Sequence, residues 1–202
     1  MAAVRPFIVG LGGTLRPGST SERALTIALA TAAARGADTR LFAGPSISFA
    51  PYDPAIAARS PEVAEFIAAL RKADGVIIAS PSYHGSISGL VKNALDYTED
   101  MRADARPYFS DRPVGLIVGG DGVQGLGSTL ATLRAIVHAL RGWPTPYGAT
   151  INSALKPFEP DNQLRIEEVS KQIAIVADQV MDFAECRFKS PRGVQKSVAL
   201  AS

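Results

Sequence analysis

Short runs of consecutive apolar residues alternate along this chain with segments in which apolar residues recur at helical spacing. The short runs have the pattern of strands buried on both faces of a sheet. They predict five strands, over 6–11, 39–43, 75–80, 113–118 and, most weakly, 146–150. Helical spacing, with N-cap serines at Ser21 and Ser60, predicts five helices, over 21–35, 61–70, 89–101, 128–141 and 164–186.

The regular alternation of strands and helices predicts a parallel sheet with helices on both faces. Residues 1–186 are expected to form one such α/β domain, because about 100 to 200 residues is the usual size. Ligands of these folds bind beyond the carboxyl ends of the strands, where the strand order reverses. The loops after strands one, three and four are therefore the places to look for function.

Composition narrows the class of protein. The chain has 202 residues, of which 47% are hydrophobic, so it is not a disordered protein. Residues 187–202 contain four basic and no acidic residues, which leaves 17 basic against 19 acidic residues before them. We interpret 187–202 as a basic, mobile tail, and the slightly acidic body argues against a nucleic-acid partner.

A single cysteine, Cys186, excludes an intramolecular disulfide and fits a reducing compartment. No apolar window reaches the length of about 20 residues that a membrane span needs, and the first residues lack the pattern of a signal peptide. The expected location is the cytoplasm, without a membrane partner.

The loop after strand one has the composition of a phosphate site. It runs from Gly12 to Ser21 and contains two adjacent glycines, Arg16 and several hydroxyl groups before a helix begins. Helix N-termini and arginine both favour phosphate. The loop lacks Gly-Lys-Ser/Thr, so it is not a P-loop, and it lacks the third glycine of a dinucleotide fingerprint. The alternative is a tight turn before a capped helix.

The loops after strands three and four suit a flat ligand. Residues 81–89 combine Tyr83 and His84 with glycines and small polar residues, on which a heterocycle could lie. Residues 119–128 are the most glycine-dense stretch of the chain. The alternatives are a polar turn with a packed Tyr83 and a solvated His84, and a flexible connection before a helix beginning at Ser128.

Two segments carry a family resemblance. Residues 81–96 resemble the P-x-Y-x-G-S-x-x-G-x-x-K-N-x-(L/I)-D stretch of the NADPH-dependent FMN reductase family, and residues 13–21 resemble its G-(S/T)-x-R-x-x-S phosphate loop. The resemblance extends from about residue 7 to residue 150. It implies a flavodoxin-like fold with strand order 2-1-3-4-5, a bound FMN, reduction by NADPH or NADH, and a homodimer or homotetramer.

The resemblance also implies cofactor-binding residues. Those for the FMN phosphate are Thr14, Arg16, Ser19, Ser21 and the neighbouring Thr20. Those that line the isoalloxazine are Pro81, Ser82, Tyr83, His84, Gly85 and Ser86, with Gly119, Gly120 and Asp121 near its pyrimidine end. Two residues depart from the common pattern: Thr14 replaces a serine and keeps the hydroxyl, and His84 replaces an asparagine and adds a titratable group.

The activity that follows from this resemblance is hydride transfer from NAD(P)H to flavin N5, without a catalytic side chain. The electrons would pass to a quinone, an azo compound, a metal oxyanion, or a free flavin supplied to a monooxygenase. Two alternatives stay open: a flavodoxin-like electron carrier and a flavin-free regulatory or interaction module. A phosphoacceptor receiver domain is excluded, because strand one ends without an acidic residue.

Two further predictions concern surfaces. The apolar faces of the third and fourth helices exceed what one sheet face covers, which favours oligomerisation; they comprise Leu90, Ala94, Leu95, Leu130, Leu133 and Val137. Three arginines, Arg102, Arg106 and Arg112, surround an aromatic pair in a long loop. That loop is interpreted as a solvated charged segment, with closure over the pocket as the alternative.

Overall fold

A computed structural model describes residues 5–159 and 164–188 of the chain. These residues form a sheet of six strands, which are β1 Phe7–Gly12, β2 Asp38–Ala43, β3 Gly75–Tyr83, β4 Ser86–Ile87, β5 Pro113–Gly120 and β6 Trp143–Asn152. Five of them run parallel in the order β2-β1-β3-β5-β6, and the two-residue β4 pairs antiparallel with β3. The predicted flavodoxin-like order is confirmed, since β4 only adds a short hairpin to β3.

Helices cover both faces of the sheet. They are α1 Thr20–Ala34, α2 Pro61–Lys72, α3 Gly89–Asp96, α4 Val123–Ala139 and α5 Glu167–Phe188, with 3-10 turns at Gly44–Ile47, Tyr97–Met101 and Ser153–Leu155. Alternate strand residues face opposite layers, so Val9 packs with α2, α3 and α4 while Ile8 packs with α1 and α5. Because both faces are covered, functional groups concentrate at the strand ends.

The connection after β5 differs from the prediction. The sequence predicted a loop over 119–128, but β5 extends to Gly120 and α4 begins at Val123. Gly125 and Gly127 are therefore helical residues, although glycine is unfavourable in a helix interior. Similarly, β3 extends through Pro81 to Tyr83, where a loop was predicted, because Pro81 still pairs with Gly119 of β5.

The apolar faces of α3 and α4 do not exceed what the sheet covers. Ala94 and Leu95 of α3, and Leu133 and Val137 of α4, are buried in the core of the single chain. Leu90 and Leu130 are partly buried and pack against the same core. The argument for oligomerisation from these residues is therefore wrong, and oligomerisation rests on the family resemblance alone.

The arginine loop does not close over the cavity, and it is solvated at Arg102 but not at Arg112. The Arg112 side chain is buried and donates to the backbone oxygens of Ala73, Tyr108, Ser110 and Arg71. Burial lowers the pKa of Arg112, while the four carbonyl contacts stabilise its charged form. Arg112 precedes β5, so this cluster lies at the amino ends of the strands and ties the loop to the end of α2.

The other two arginines of that loop also make local contacts. Arg106 donates to the carbonyl oxygens of Ser110 and Asp111, and Arg102 pairs with Glu99 on the surface. None of the three arginines lines the cavity at the carboxyl ends of the strands.

Near the C-terminus, α5 continues through Phe188, two residues past the predicted end of the domain. The remainder of the predicted basic tail, 189–202, lies outside the described residues. Within the described ranges, no helix has both the length and the apolar character that crossing a membrane requires.

Candidate functional site

A cavity of about 830 Å³ lies at the carboxyl ends of the parallel strands. Its walls come from the loop between β1 and α1, the hairpin of β3 and β4, and the connection from β5 to α4. Every residue predicted for the cofactor site lines it except Ser86, which lies on β4 opposite Tyr83. The topology thus brings three loops that are far apart in sequence to one site.

The first wall is the N-terminus of α1. Ser19 is the N-cap, and its hydroxyl accepts a hydrogen bond from the Glu22 N–H at 3.4 Å. The Ser19 and Ser21 side chains are 3% and 2% exposed and lie 3.4 Å apart at their hydroxyl oxygens. Since the N–H groups of Thr20 and Ser21 have no acceptor earlier in the helix, this wall offers donors to an anion.

Internal hydrogen bonds fix the shape of that loop. The Thr14 hydroxyl accepts from the Arg16 N–H at 3.1 Å, and the Glu22 carboxylate accepts from the Gly18 N–H at 3.0 Å. The structure therefore gives Thr14 a loop-shaping contact in addition to its place in the cavity wall. Arg16 is exposed, and it is the only arginine or lysine among the described residues that line the cavity.

The second wall is the β3–β4 hairpin. Its tip is the pair His84-Gly85, both with positive φ, at 51° and 78°. The Ser80 hydroxyl accepts from the Ser88 N–H at 3.0 Å, and the Ser88 hydroxyl caps α3 by accepting from Val91 N–H at 3.2 Å. The Tyr83 side chain is 53% exposed and lines the cavity. Tyr83 is therefore available to contact a ligand.

The third wall is the end of β5 and its connection to α4, where glycines leave room for the cavity. A Cβ at Gly119 would lie 3.3 Å from the Thr20 methyl carbon, and one at Gly120 would lie 3.0 Å from the Ser82 Cβ. The Ser82 and Thr129 hydroxyl oxygens lie 2.8 Å apart and join β3 to α4. These glycines leave the backbone of β5 open to the cavity, with the exposed Asp121 at its rim.

Sequence reasoning missed several lining residues. They are Leu15, Ser88, Gly89, Leu90, Gly122, Gly125 and Ser153. Most are neighbours of predicted residues, but Ser153 lies immediately after β6. The sequence could have indicated Ser153, because this residue follows a strand whose carboxyl end lies at the same edge of the sheet as the cavity.

The shape and the donor set fit a planar ligand with a phosphate group. The cavity volume is within the range of about 300–1,000 Å³ that small-molecule sites occupy. Its lining supplies hydroxyls, helix N–H groups and Arg16, together with an exposed aromatic ring and bare glycine backbone. FMN has both matching parts, so the residues present fit that cofactor.

Comparison with known proteins identifies a family. Residues 6–155 match the model of the NADPH-dependent FMN reductase family. The chain is 34% identical over 113 residues to an FMN-dependent NADPH-azoreductase of Staphylococcus aureus, a match that covers 55% of this chain and 56% of that protein. An azoreductase of the same description from Staphylococcus saprophyticus is 34% identical over 117 residues, covering 57% and 58%. The matched part spans little more than half of these curated relatives.

Solved structures share the fold. A flavoenzyme NAD(P)H:(acceptor) oxidoreductase of Paracoccus denitrificans superposes with a TM-score of 0.74 at 20% identity, covering 89% of this chain and 97% of that one. An apo NADH:FMN oxidoreductase gives a TM-score of 0.64 at 22% identity, with 92% of each chain covered. At these identities the likeness establishes the architecture alone.

Proposed function

The chain belongs to the NADPH-dependent FMN reductase family, and we propose that it is an FMN-dependent NAD(P)H oxidoreductase. The observation that carries the proposal is one cavity whose lining combines the N-terminus of α1 and Arg16 with the exposed Tyr83 and the glycine backbone at the end of β5. The proposal assigns residues 1–186 to a single FMN-binding domain. The names of the azoreductase relatives support the same cofactor and the same hydride donor.

Each wall has a role in this proposal. Arg16 and the hydroxyls of Thr14, Ser19, Thr20 and Ser21 bind the phosphate, because charge-assisted hydrogen bonds to a dianion are strong. The hairpin residues Pro81, Ser82, Tyr83, His84, Gly85 and Ser86 border the ring system. Ser86 does not line the cavity, and its proposed role is to pair with Tyr83 and thereby stabilise the hairpin.

Bound FMN supplies the hydride chemistry at its N5 atom. The chain positions the ring against the nicotinamide and excludes water from one side, which is the main protein contribution in cofactor enzymes. Gly119, Gly120 and Asp121 are assigned to the pyrimidine end, where backbone N–H groups can stabilise developing negative charge. No side chain has to act as an acid or base when the hydride leaves NAD(P)H.

The finer assignments follow from the family and are part of the proposal. The acceptor is a small molecule, and azo compounds are favoured over quinones, metal oxyanions and free flavin by the azoreductase relatives. Supply of reduced flavin to a monooxygenase is a further use of the same activity. Homodimer or homotetramer formation and a cytoplasmic location complete the proposal.

The phosphate wall, which is the loop before α1 and the N-terminus of that helix, is tested by the double substitution Arg16→Ala/Ser19→Ala. Losing two charge-assisted contacts should cost about 2 kcal/mol or more, which is about 30-fold in the Kd for FMN. The Kd is measured by quenching of flavin fluorescence. Unchanged FMN affinity would remove the assignment of this wall.

Arg102→Ala/Ser60→Ala is the matched control for that experiment. It also removes an exposed arginine and a helix N-cap serine, but neither residue lines the cavity. We expect this control to lose a similar amount of stability and to keep the parent's FMN affinity.

A further inference from the structure

His84 is the feature of the cavity that hydride transfer from NAD(P)H leaves unused. It lies at the tip of the β3–β4 hairpin, in a two-residue turn between the paired residues Tyr83 and Ser86. Both turn residues have positive φ, the pattern of a type I′ turn, for which Asn-Gly is the usual pair. Asparagine alone would satisfy the backbone here, so the imidazole adds a chemical group that the turn does not require.

The cavity lining contains few groups that can move a proton. Its titratable side chains within the described residues are Arg16 from the β1–α1 loop, Tyr83 from β3, His84 from the hairpin and Asp121 beyond β5. The lining from α3, α4 and the β6 end is uncharged, and comprises Gly89, Leu90, Gly125 and Ser153. Of these groups, only imidazole belongs to the class that ordinarily gains and loses a proton near neutral pH.

The hairpin fixes the backbone position of His84. Ser80 and Ser88 tie the base of the hairpin to the start of α3, and a Cβ at Gly85 would lie 3.2 Å from the Ser128 hydroxyl of α4. The tip therefore lies against a helix on one side and is anchored to β3 on the other. His84 is exposed to solvent while lining the cavity, so it can recover a proton after each turnover.

We propose that His84 is the general acid for acceptor reduction, donating a proton to an azo compound as the acceptor takes up a hydride. This inference rests on the proposed function. One azo nitrogen gains the hydride from the reduced cofactor, the N=N π bond breaks, and its electron pair moves to the other nitrogen. That nitrogen takes the proton of the imidazolium, so the azo compound becomes a hydrazine. Reduced FMN held in the cavity would supply the hydride and be oxidised in doing so, and water would then reprotonate His84.

The test compares acceptors that differ in their need for a proton. Methyl orange needs a proton at nitrogen, whereas ferricyanide takes single electrons and needs none. In His84→Asn, which keeps a residue suited to positive φ, the ratio of the methyl orange rate to the ferricyanide rate should fall at least about tenfold, because general acids typically contribute about a hundredfold or more.

His138→Asn is the matched control, since His138 is an exposed residue of α4 that does not line the cavity. It should keep the parent's ratio of methyl orange rate to ferricyanide rate. An unchanged ratio in His84→Asn would overturn the inference.

A second readout does not depend on turnover. The chain has 2 histidines, so two imidazole C2–H resonances can be assigned with the two variants. Methyl orange added to the oxidised holoenzyme without NAD(P)H should shift the His84 resonance and leave the His138 resonance in place. A His84 resonance that methyl orange does not move would contradict contact between this residue and the acceptor.

Different results would refute the proposed function and the role of His84. If neither NADPH nor NADH bleaches the bound flavin, the proposed function falls and takes this inference with it. If the flavin is bleached normally and His84→Asn reduces methyl orange as the parent does, only the role of His84 falls.

Discussion

Gly12 lies at the end of β1, and a Cβ placed on it would be 2.0 Å from the carbonyl oxygen of Ala79 on β3. The next residue, Gly13, donates its N–H to that same oxygen at 3.1 Å. The sequence analysis placed these glycines in a loop predicted to bind phosphate. The structure shows that Gly12 allows close approach between two strands, which no pattern within one loop could reveal. Gly12 thereby sets where the chain leaves β1 and enters the loop before α1.

Arg112 gives a prediction at the residue scale. Arg112→Leu should lower the free energy of unfolding by about 3 kcal/mol, because four backbone oxygens would lose a buried charged donor. Urea denaturation measures this change. Arg102→Leu is the control, since its side chain is 73% exposed and surface changes usually stay within about 0.5 kcal/mol. Equal stability losses in the two variants would contradict the structural role of Arg112.

At the scale of elements, apolar runs were sufficient to predict the five parallel strands, and helical spacing was sufficient to predict the five helices. The prediction was wrong where a local signal was weak or misleading. The start of α4 was predicted too late because glycine lies in its first turn. The start of β6 was predicted too late because Pro144 is its second residue, although proline is tolerated in an edge strand. The two residues of β4 were too few to produce any period.

The contact between the hairpin and α3 gives a prediction at the element scale. Ser88→Ala removes the N-cap of α3 and should lower the free energy of unfolding by about 1 kcal/mol. It should also weaken FMN binding, because the Ser88 hydroxyl lies in the cavity lining and caps the helix that follows the hairpin. Unfolding and FMN titration of the same samples measure both effects.

Ser60→Ala removes the equivalent cap of α2, away from the cavity. We expect it to lose stability to the same extent and to keep FMN affinity. Equal FMN affinities in the Ser88 and Ser60 variants would argue that α3 does not shape the site.

At the scale of the whole molecule, the parallel topology explains why the site was largely predictable. Once strands one, three and four were recognised, their carboxyl ends had to meet at one edge, and the residues that follow them had to share a cavity. Ser153 was missed because the carboxyl end of β6 was not considered. The buried position of Arg112 was missed because its four partners come from two separate segments of the chain.

The most direct test of the central claim is the visible spectrum of the protein after incubation with FMN and removal of unbound flavin, followed by anaerobic addition of NADPH and, separately, NADH. We expect the flavin band to be retained, and at least one of the two nicotinamides to bleach it at a rate fast enough for catalysis. A flavin band lost on filtration, with no turnover of free FMN, would contradict an FMN-dependent oxidoreductase. A retained band that neither nicotinamide bleaches would instead support an electron carrier.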